Sequence, residues 1–301
     1  MALTSMQDFL EIVKKKSVVK TVAVPGAADD HVLEAVFEGE KLGLIRPILI
    51  DQEDAVKKVL KELGKNPDAY EIINADTPEA CGQIAVDLVK EGRANVILKG
   101  LLETKDVLKP VVNKETGIGL GGVMSIVAFT ELPDYHKLLV LTDGGMMTYP
   151  NVEQKADIIR NAVFCFKKLG IENPKIACVA AVEKVNPKMP ETVDAAELKK
   201  MNEEGILKDC IVEGPISMDL AVSKESAERK KYESPVAGDA DVILVPNIQV
   251  GNIAHKSMIL FGHGKMAGVV VGAKCPIVIN SRGSSAEEKF DSLLLACAIA
   301  D

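Results

Sequence analysis

The sequence predicts an α/β protein folded as two three-layer α/β/α domains, and three observations carry that prediction. Short β-branched runs alternate with longer helix-period segments from one end of the chain to the other. Runs such as Val242-Ile-Leu-Val245 and Gly268-Val-Val-Val-Gly272 are apolar throughout, as in strands covered on both faces. The strands are also too many for one comfortable sheet. The split is drawn near Pro133–His136, giving a first domain at 1–134, completed by 275–301, and a second at 135–274.

The elements follow in order. Met1 to Lys16 reads as a charged amphipathic helix without the apolar centre of a signal peptide. Strand Lys20–Val24, helix Asp29–Leu42, strand Pro47–Ile50, helix Gln52–Leu63 and strand Tyr70–Asn74 come next. Helix Pro78–Glu91 has Thr77 as its N-cap and Pro78 at its first position. After strand Ala94–Leu98, a helix near Thr104–Asn113 is bent or ended by Pro110. Strands Val123–Thr130 and Lys137–Leu141 lead to helix Val152–Leu169, strand Lys175–Ala181, helix Thr192–Asn202, strand Asp209–Val212 and a short helix Met218–Ala227. Strand Val242–Val245, helix Asn252–Leu260, strands Val269–Gly272 and Ile277–Asn280, and helix Ser285–Ala300 complete the chain.

Composition narrows the function. The 301 residues carry 36 basic and 44 acidic side chains, a net charge of −8, which argues against nucleic acid and anionic membrane as partners. An anionic ligand must then be held by a few placed cations. Aromatics are 4% of the chain and Trp is absent, so the core is aliphatic. Apolar stretches fall far short of the roughly 18 residues of a membrane span. The six cysteines are scattered with no CxxC, which reads as reduced, buried thiols of a cytoplasmic protein. With no HExxH either, no metal site is expected.

Several motifs fail on their physics. Gly117-Ile-Gly119-Leu-Gly121-Gly122 matches GxGxxG, but a helix precedes it and a strand follows, the reverse of what a dinucleotide site needs. It reads as a connection with backbone amides open to an anion. Gly264-Lys265 lacks the rest of a P-loop and reads as a turn. The four histidines sit in no hydrolase triad context.

Polar loops at strand ends survive, because open α/β sheets bind ligands there. They are Lys99-Gly100 through Thr104, Thr142-Asp143 through Pro150, Asn186-Pro187-Lys188 through Thr192, Pro246-Asn247 with Gly251-Asn252 and Lys256, and Ser281-Arg282-Gly283-Ser284. Helix N-termini beside Lys and Arg hold anions without metal. Among the five arginines, Arg282 is the one placed directly at a strand end, and its planar fork suits phosphate or carboxylate. Ser284 and Ser285 each start a Ser-x-x-Glu pattern, so Glu287 and Glu288 read first as capping-box partners.

Taken together the ordered loops resemble the phosphate acetyl/butyryl transferase family over essentially the full length, and Asn186-Pro-Lys-Met-Pro190 points to its butyryl branch. The resemblance implies an isocitrate/isopropylmalate dehydrogenase-like fold with the site in a cleft between the domains. It implies a homodimer or higher homo-oligomer, and the reaction acyl-CoA + phosphate ⇌ acyl phosphate + CoA. No cofactor is expected beyond coenzyme A as substrate or product. On this resemblance Ser281 and Arg282 are catalytic, and Glu288, where the acetyl branch has Asp, is the candidate base for the CoA thiol. Lys99, Thr104, Asn186, Lys188, Asn252 and Lys256 are assigned to phosphate or CoA. The alternatives are phosphate acetyltransferase, an acyl-carrier-protein-dependent phosphate acyltransferase, a dehydrogenase of similar fold, and a non-enzymatic CoA or acyl-phosphate sensor. The sequence leaves the acyl chain length open.

Overall fold

Thr77 Oγ1 accepts the Ala80 amide at 3.2 Å and Pro78 fills the first helical position, so one helix starts where its capping residues put it. The computed structural model describes residues 2–280 and 283–301. Along the chain the elements are α1 Gln7–Lys16, β1 Lys20–Pro25, α2 Asp30–Lys41, β2 Ile45–Asp51, α3 Glu53–Glu62, β3 Glu71–Asn74, α4 Pro78–Lys90, β4 Val96–Leu98 and α5 Thr104–Val111. They continue with β5 Ser125–Glu131, β6 Leu139–Thr142, α6 Val152–Lys168, β7 Lys175–Val179, α7 Pro190–Glu203, β8 Ile211–Ile216, α8 Met218–Val222 and α9 Lys224–Lys230. The last are β9 Val242–Leu244, α10 Ile248–Leu260, β10 Lys265–Val271, β11 Ile277–Val278 and α11 Ala286–Ile299.

Contacts divide the chain into two units. The first joins Gln7–Gly121 to Ala267–Asp301, and the second joins Met1–Met6 to Gly122–Met266. In the first, the strand order is β3-β2-β1-β4-β11-β10. All neighbours are parallel except β10 and β11, which meet antiparallel at Val270↔Ile277. Helix α11 packs on α1, α2, β4 and β11 and buries an unbroken run from Ser292 to Ile299, as a helix inside a core does.

In the second unit the order is β5-β6-β9-β7-β8. β5 and β6 form an antiparallel pair (Ala128↔Leu141) and the rest run parallel. The expected junction at 134/135 lies between these two paired strands, while the contacts divide the chain at 121/122 and 266/267. Leu139, Leu141, Ile243 and Val245 pack against Leu220 and Ala221 in an aliphatic core.

Several boundaries differ from the sequence reading, four of them for a visible reason. The first helix begins at Gln7, because Leu3 is buried and its carbonyl takes the Leu138 amide at 2.8 Å. The helix read over Met218–Ala227 is two, because Ser223 is extended and caps the second through the Ser226 amide. β10 starts at Lys265, so Gly264-Lys265 is the lead into a strand. α10 starts at Ile248 under an Asn247 cap. Pro110 stands in the last turn of α5, which ends one residue later.

Candidate active site

Both sheets wind the same way around a return strand. In the first unit the chain runs β1, β2, β3 outward and comes back to β4 on the other side of β1. In the second it runs β7, β8 outward and comes back to β9 on the other side of β7. The carboxyl ends of β1 and β4, and of β7 and β9, therefore bound the crevices where such sheets place ligands.

In the first unit that crevice is closed by backbone. Gly100 N–H bonds Pro25 C=O at 2.9 Å and Leu101 N–H bonds Gly26 C=O at 2.8 Å. A Cβ on Gly100 would stand 2.0 Å from the Gly26 oxygen, so only glycine permits this approach. Lys99 is buried, and its ammonium donates to the carbonyls of Gly100 at 3.1 Å and Leu102 at 3.0 Å. Lys99, assigned from the sequence to the ligand, also ties this turn, since buried carbonyls need donors. Thr104 is the exposed first residue of α5.

In the second unit the crevice is open. A cavity of about 420 Å³ lies at the ends of β7 and β9, walled by Val179, Ala180, Ala181, Met189, Met218, Pro246 and Val250, with Glu191 and Asn247 as its polar side chains. The loop after β6 is fixed beside α10 by Asp143, a buried carboxylate that accepts the amides of Gly145 and Met146 at 3.0 Å and Met147 at 2.8 Å. Burial pushes that carboxyl above its ordinary range, and the amide bonds work against the shift.

The sequence-predicted residues of this unit sit around the cavity without lining it. Asn186 organises its own loop, with its amide donating to Thr192 Oγ1 at 2.8 Å and its Oδ1 accepting from Lys188 N at 3.0 Å. Lys188 is exposed, and its neighbour Met189 is the residue that reaches the cavity. Asn252 and Lys256 lie on the exposed face of α10, one turn apart. The amides that open α10 are taken up within the protein. Ile248 N–H goes to Thr148 C=O, Gln249 and Val250 go to Asn247 Oδ1, and Gly251 goes to Asn247 C=O, each at 3.1 Å. The Gly117–Gly119 amides, read from the sequence as open, go to the carbonyls of Asn113 and Val111. Sequence reasoning weighed charge at strand ends and passed over Met189, Met218 and Val250. Their signal was position, one at each of three strand-to-helix turns.

Ser281 and Arg282 lie outside the described residues. What precedes and follows them is well anchored. Asn280 donates to Ser292 Oγ at 3.2 Å, and that hydroxyl accepts the Gly268 amide at 3.0 Å and donates to Glu288 C=O at 2.8 Å. The cap of α11 is Ser285, whose Oγ accepts the Glu288 amide at 3.1 Å, and the Glu288 carboxylate accepts the Ser284 hydroxyl at 2.7 Å. Of the two Ser-x-x-Glu patterns, the one ending at Glu288 is the cap. The six cysteines are buried and unpaired, and burial raises their thiols, Cys81 and Cys210 to about 11 and Cys275 and Cys297 to about 12. Among the described residues, no helix is long and apolar enough to cross a membrane.

A family profile described as "Phosphate acetyl/butaryl transferase" matches residues 80–297. A phosphate butyryltransferase of Clostridium acetobutylicum is 40% identical over 99% of this chain and 99% of its own. A phosphate acetyltransferase of Thermotoga maritima is 38% identical over 98% of this chain and 99% of its own. Among solved structures, a branched-chain phosphotransacylase of Enterococcus faecalis superposes with a TM-score of 0.82 at 35% identity, covering 94% of this chain and 99% of the other.

Proposed function

Since the chain belongs to the phosphate acetyl/butaryl transferase family, we propose that it moves a short acyl group of the butyryl class between coenzyme A and inorganic phosphate. The observation that carries this reading is likeness over nearly the full length to proteins named for that transfer. A phosphate oxygen attacks the thioester carbonyl, the C–S bond breaks, and CoA leaves as a thiolate that takes a proton. The exchange is redox-neutral, so it calls for no electron-carrying cofactor.

Arg282 neutralises and orients phosphate, and Ser281 donates a hydrogen bond where negative charge develops on sulfur or the tetrahedral oxygen. Lys188, exposed beside the cavity residue Met189, and Lys256, exposed on α10, are the cations offered to the CoA phosphates. Holding both substrates in register is the largest contribution. The Glu288 carboxylate accepts the Ser284 hydroxyl, which favours a structural role at the start of α11 over that of a base. The protein works in the cytoplasm, a reading supported by its reduced thiols. It assembles as a homodimer or larger homo-oligomer, supported by the exposed Ile253, Leu260 and Phe261 on and after α10.

Transfer of acetyl in place of butyryl is the second reading, favoured by the Thermotoga relative. Thiol release from acetyl- to hexanoyl-CoA, with and without phosphate, tests both. Phosphate-dependent release peaking at four or five carbons is expected. A peak at two carbons favours the acetyl reading, phosphate-independent release points to a thioesterase, and CoA binding without release leaves a sensor or an acyl-carrier-protein-dependent enzyme.

A further inference from the structure

The cavity at the end of β7 and β9 has no part in the residue roles given so far, and its chemistry is specific. Its wall is aliphatic and thioether: Val179, Ala180, Met189, Met218 and Val250. Among the described residues no lysine or arginine lines it, and the one charged side chain they contribute is the carboxylate of Glu191. Inorganic phosphate and the phosphates of CoA need cations, so a wall of this kind repels them. Adenine needs edge partners and prefers a ring to stack on. Asn247 Oδ1 is already engaged by the Gln249 and Val250 amides, and no aromatic side chain among the described residues lines the cavity. Of the uncharged parts of an acyl-CoA, the pantetheine arm carries two amides that this wall would leave short of partners, and the saturated acyl end carries none.

We propose that this cavity receives the acyl chain, and that Met189, Met218 and Val250 set the chain length the protein accepts. The inference rests on the phosphate acyltransferase reading. Each of the three comes from a different strand-to-helix turn: Met189 caps α7, Met218 opens α8, and Val250 lies in the first turn of α10. The chain would thus be gripped at the switch point between β7 and β9, where the crevice is open. Two methionines in one small wall suit a ligand of variable branching, because an unbranched thioether refits to its neighbour. Met218 is 37% and Val250 42% exposed with nothing bound, so changes there leave the aliphatic core intact.

The experiment measures kcat/KM for acetyl-, butyryl-, isobutyryl-, valeryl- and hexanoyl-CoA, with phosphate, on the full chain and on V250F and M218A. Thermal melts within a few degrees of the parent establish that both variants fold. V250F is expected to lower the butyryl-to-acetyl ratio by roughly tenfold or more, within the 10–200-fold that one methylene of pocket space commands. M218A is expected to move the optimum one or two carbons longer. Should V250F weaken every acyl-CoA by the same factor, the cavity holds a part of CoA common to all, and the proposal falls. It falls equally if both variants keep the parent's ratios within threefold. An unsubstituted protein that releases no thiol from any acyl-CoA removes the transferase reading and this inference with it. Unmoved ratios in an active parent remove this inference alone.

Discussion

In the first unit the loops after β1 and β4 meet backbone to backbone at Gly26 and Gly100, whereas in the second the loops after β7 and β9 stand apart around a 420 Å³ cavity. The winding is the same, so topology alone does not decide whether a switch point holds a ligand. Residue size does: two glycines let the first pair of loops close, while Val179, Pro246 and Val250 keep the second pair apart. The second unit is secured at the opposite edge of its sheet. There Lys175, Lys137 and His136 surround Asp239, with His136 Nε2 at 2.8 Å, and Lys137 also pairs with Asp241 at 2.5 Å. One unit fastens the edge where its strands end, and the other fastens the edge where they begin.

The contrast breaks most readily at Gly100. G100A drives a methyl onto the Gly26 carbonyl, and a loss of about 3 kcal/mol or more is expected in urea unfolding. A loss below about 1 kcal/mol would mean the closed crevice is loosely held. Next is K99M, which keeps the side-chain volume but takes the ammonium donor from the Leu102 carbonyl and one of two donors from the Gly100 carbonyl, which also accepts the Leu102 amide. It should cost about 2 kcal/mol while folded protein keeps its KM for CoA; an unchanged stability with a raised KM would return Lys99 to the ligand.

Asp239 sharpens the comparison from the other unit. Partial burial pushes its carboxyl up, but hydrogen bonds from Lys175, His136 and Lys137 outweigh that and hold it well below the ordinary carboxylate range. A depressed native value adds stability above the unfolded pKa of about 4, lost as pH falls towards the native value. D239N should therefore cost about 1–2 kcal/mol at pH 7 and flatten the acid limb of stability against pH. An acid limb identical to the parent's would remove the network from that role. The smallest effect is expected of E288Q, which keeps an acceptor for Ser284. Acyl-phosphate-to-CoA transfer should stay within a fewfold, under about 1 kcal/mol on a transition-state scale. A hundredfold loss would make Glu288 the base. Thiol assays suit the activity measurements on folded protein, because its own six thiols are buried and raised.

Local chemistry was legible wherever a residue acts on its own turn. Thr77 with Pro78, and Ser285 with Glu288, announce helix starts through hydrogen bonds three residues away. The start of α10 was misplaced because Gly251-Asn252 looks like a turn. Gly251 is instead a packing position: a Cβ there would stand 2.6 Å from Gly144 Cα. Lys99 shows the limit most clearly. A lysine at a strand end looks the same in sequence whether or not its ammonium also bonds its own loop, as Lys99 does at the Gly100 and Leu102 carbonyls. The cavity was not legible for a related reason. Met189, Met218 and Val250 lie in three separate segments that only the parallel order β9-β7-β8 brings together.

The first unit's two stretches of chain also impose a schedule. During synthesis from the N-terminus, β1 to β4 emerge early, but β4 gains its second neighbour only through Ile277↔Ile97 and Val278↔Leu98. Until residues 267–301 are made, β4 remains a bare edge of Val96, Ile97 and Leu98, and the face that α11 will cover stays wet. The second unit, encoded between, has all five of its strands by residue 244. A nascent chain paused after the second unit therefore carries one finished sheet and one sticky one, and the apolar run ending at Ile299 works as the late-arriving stopper that protects it from its neighbours on the ribosome.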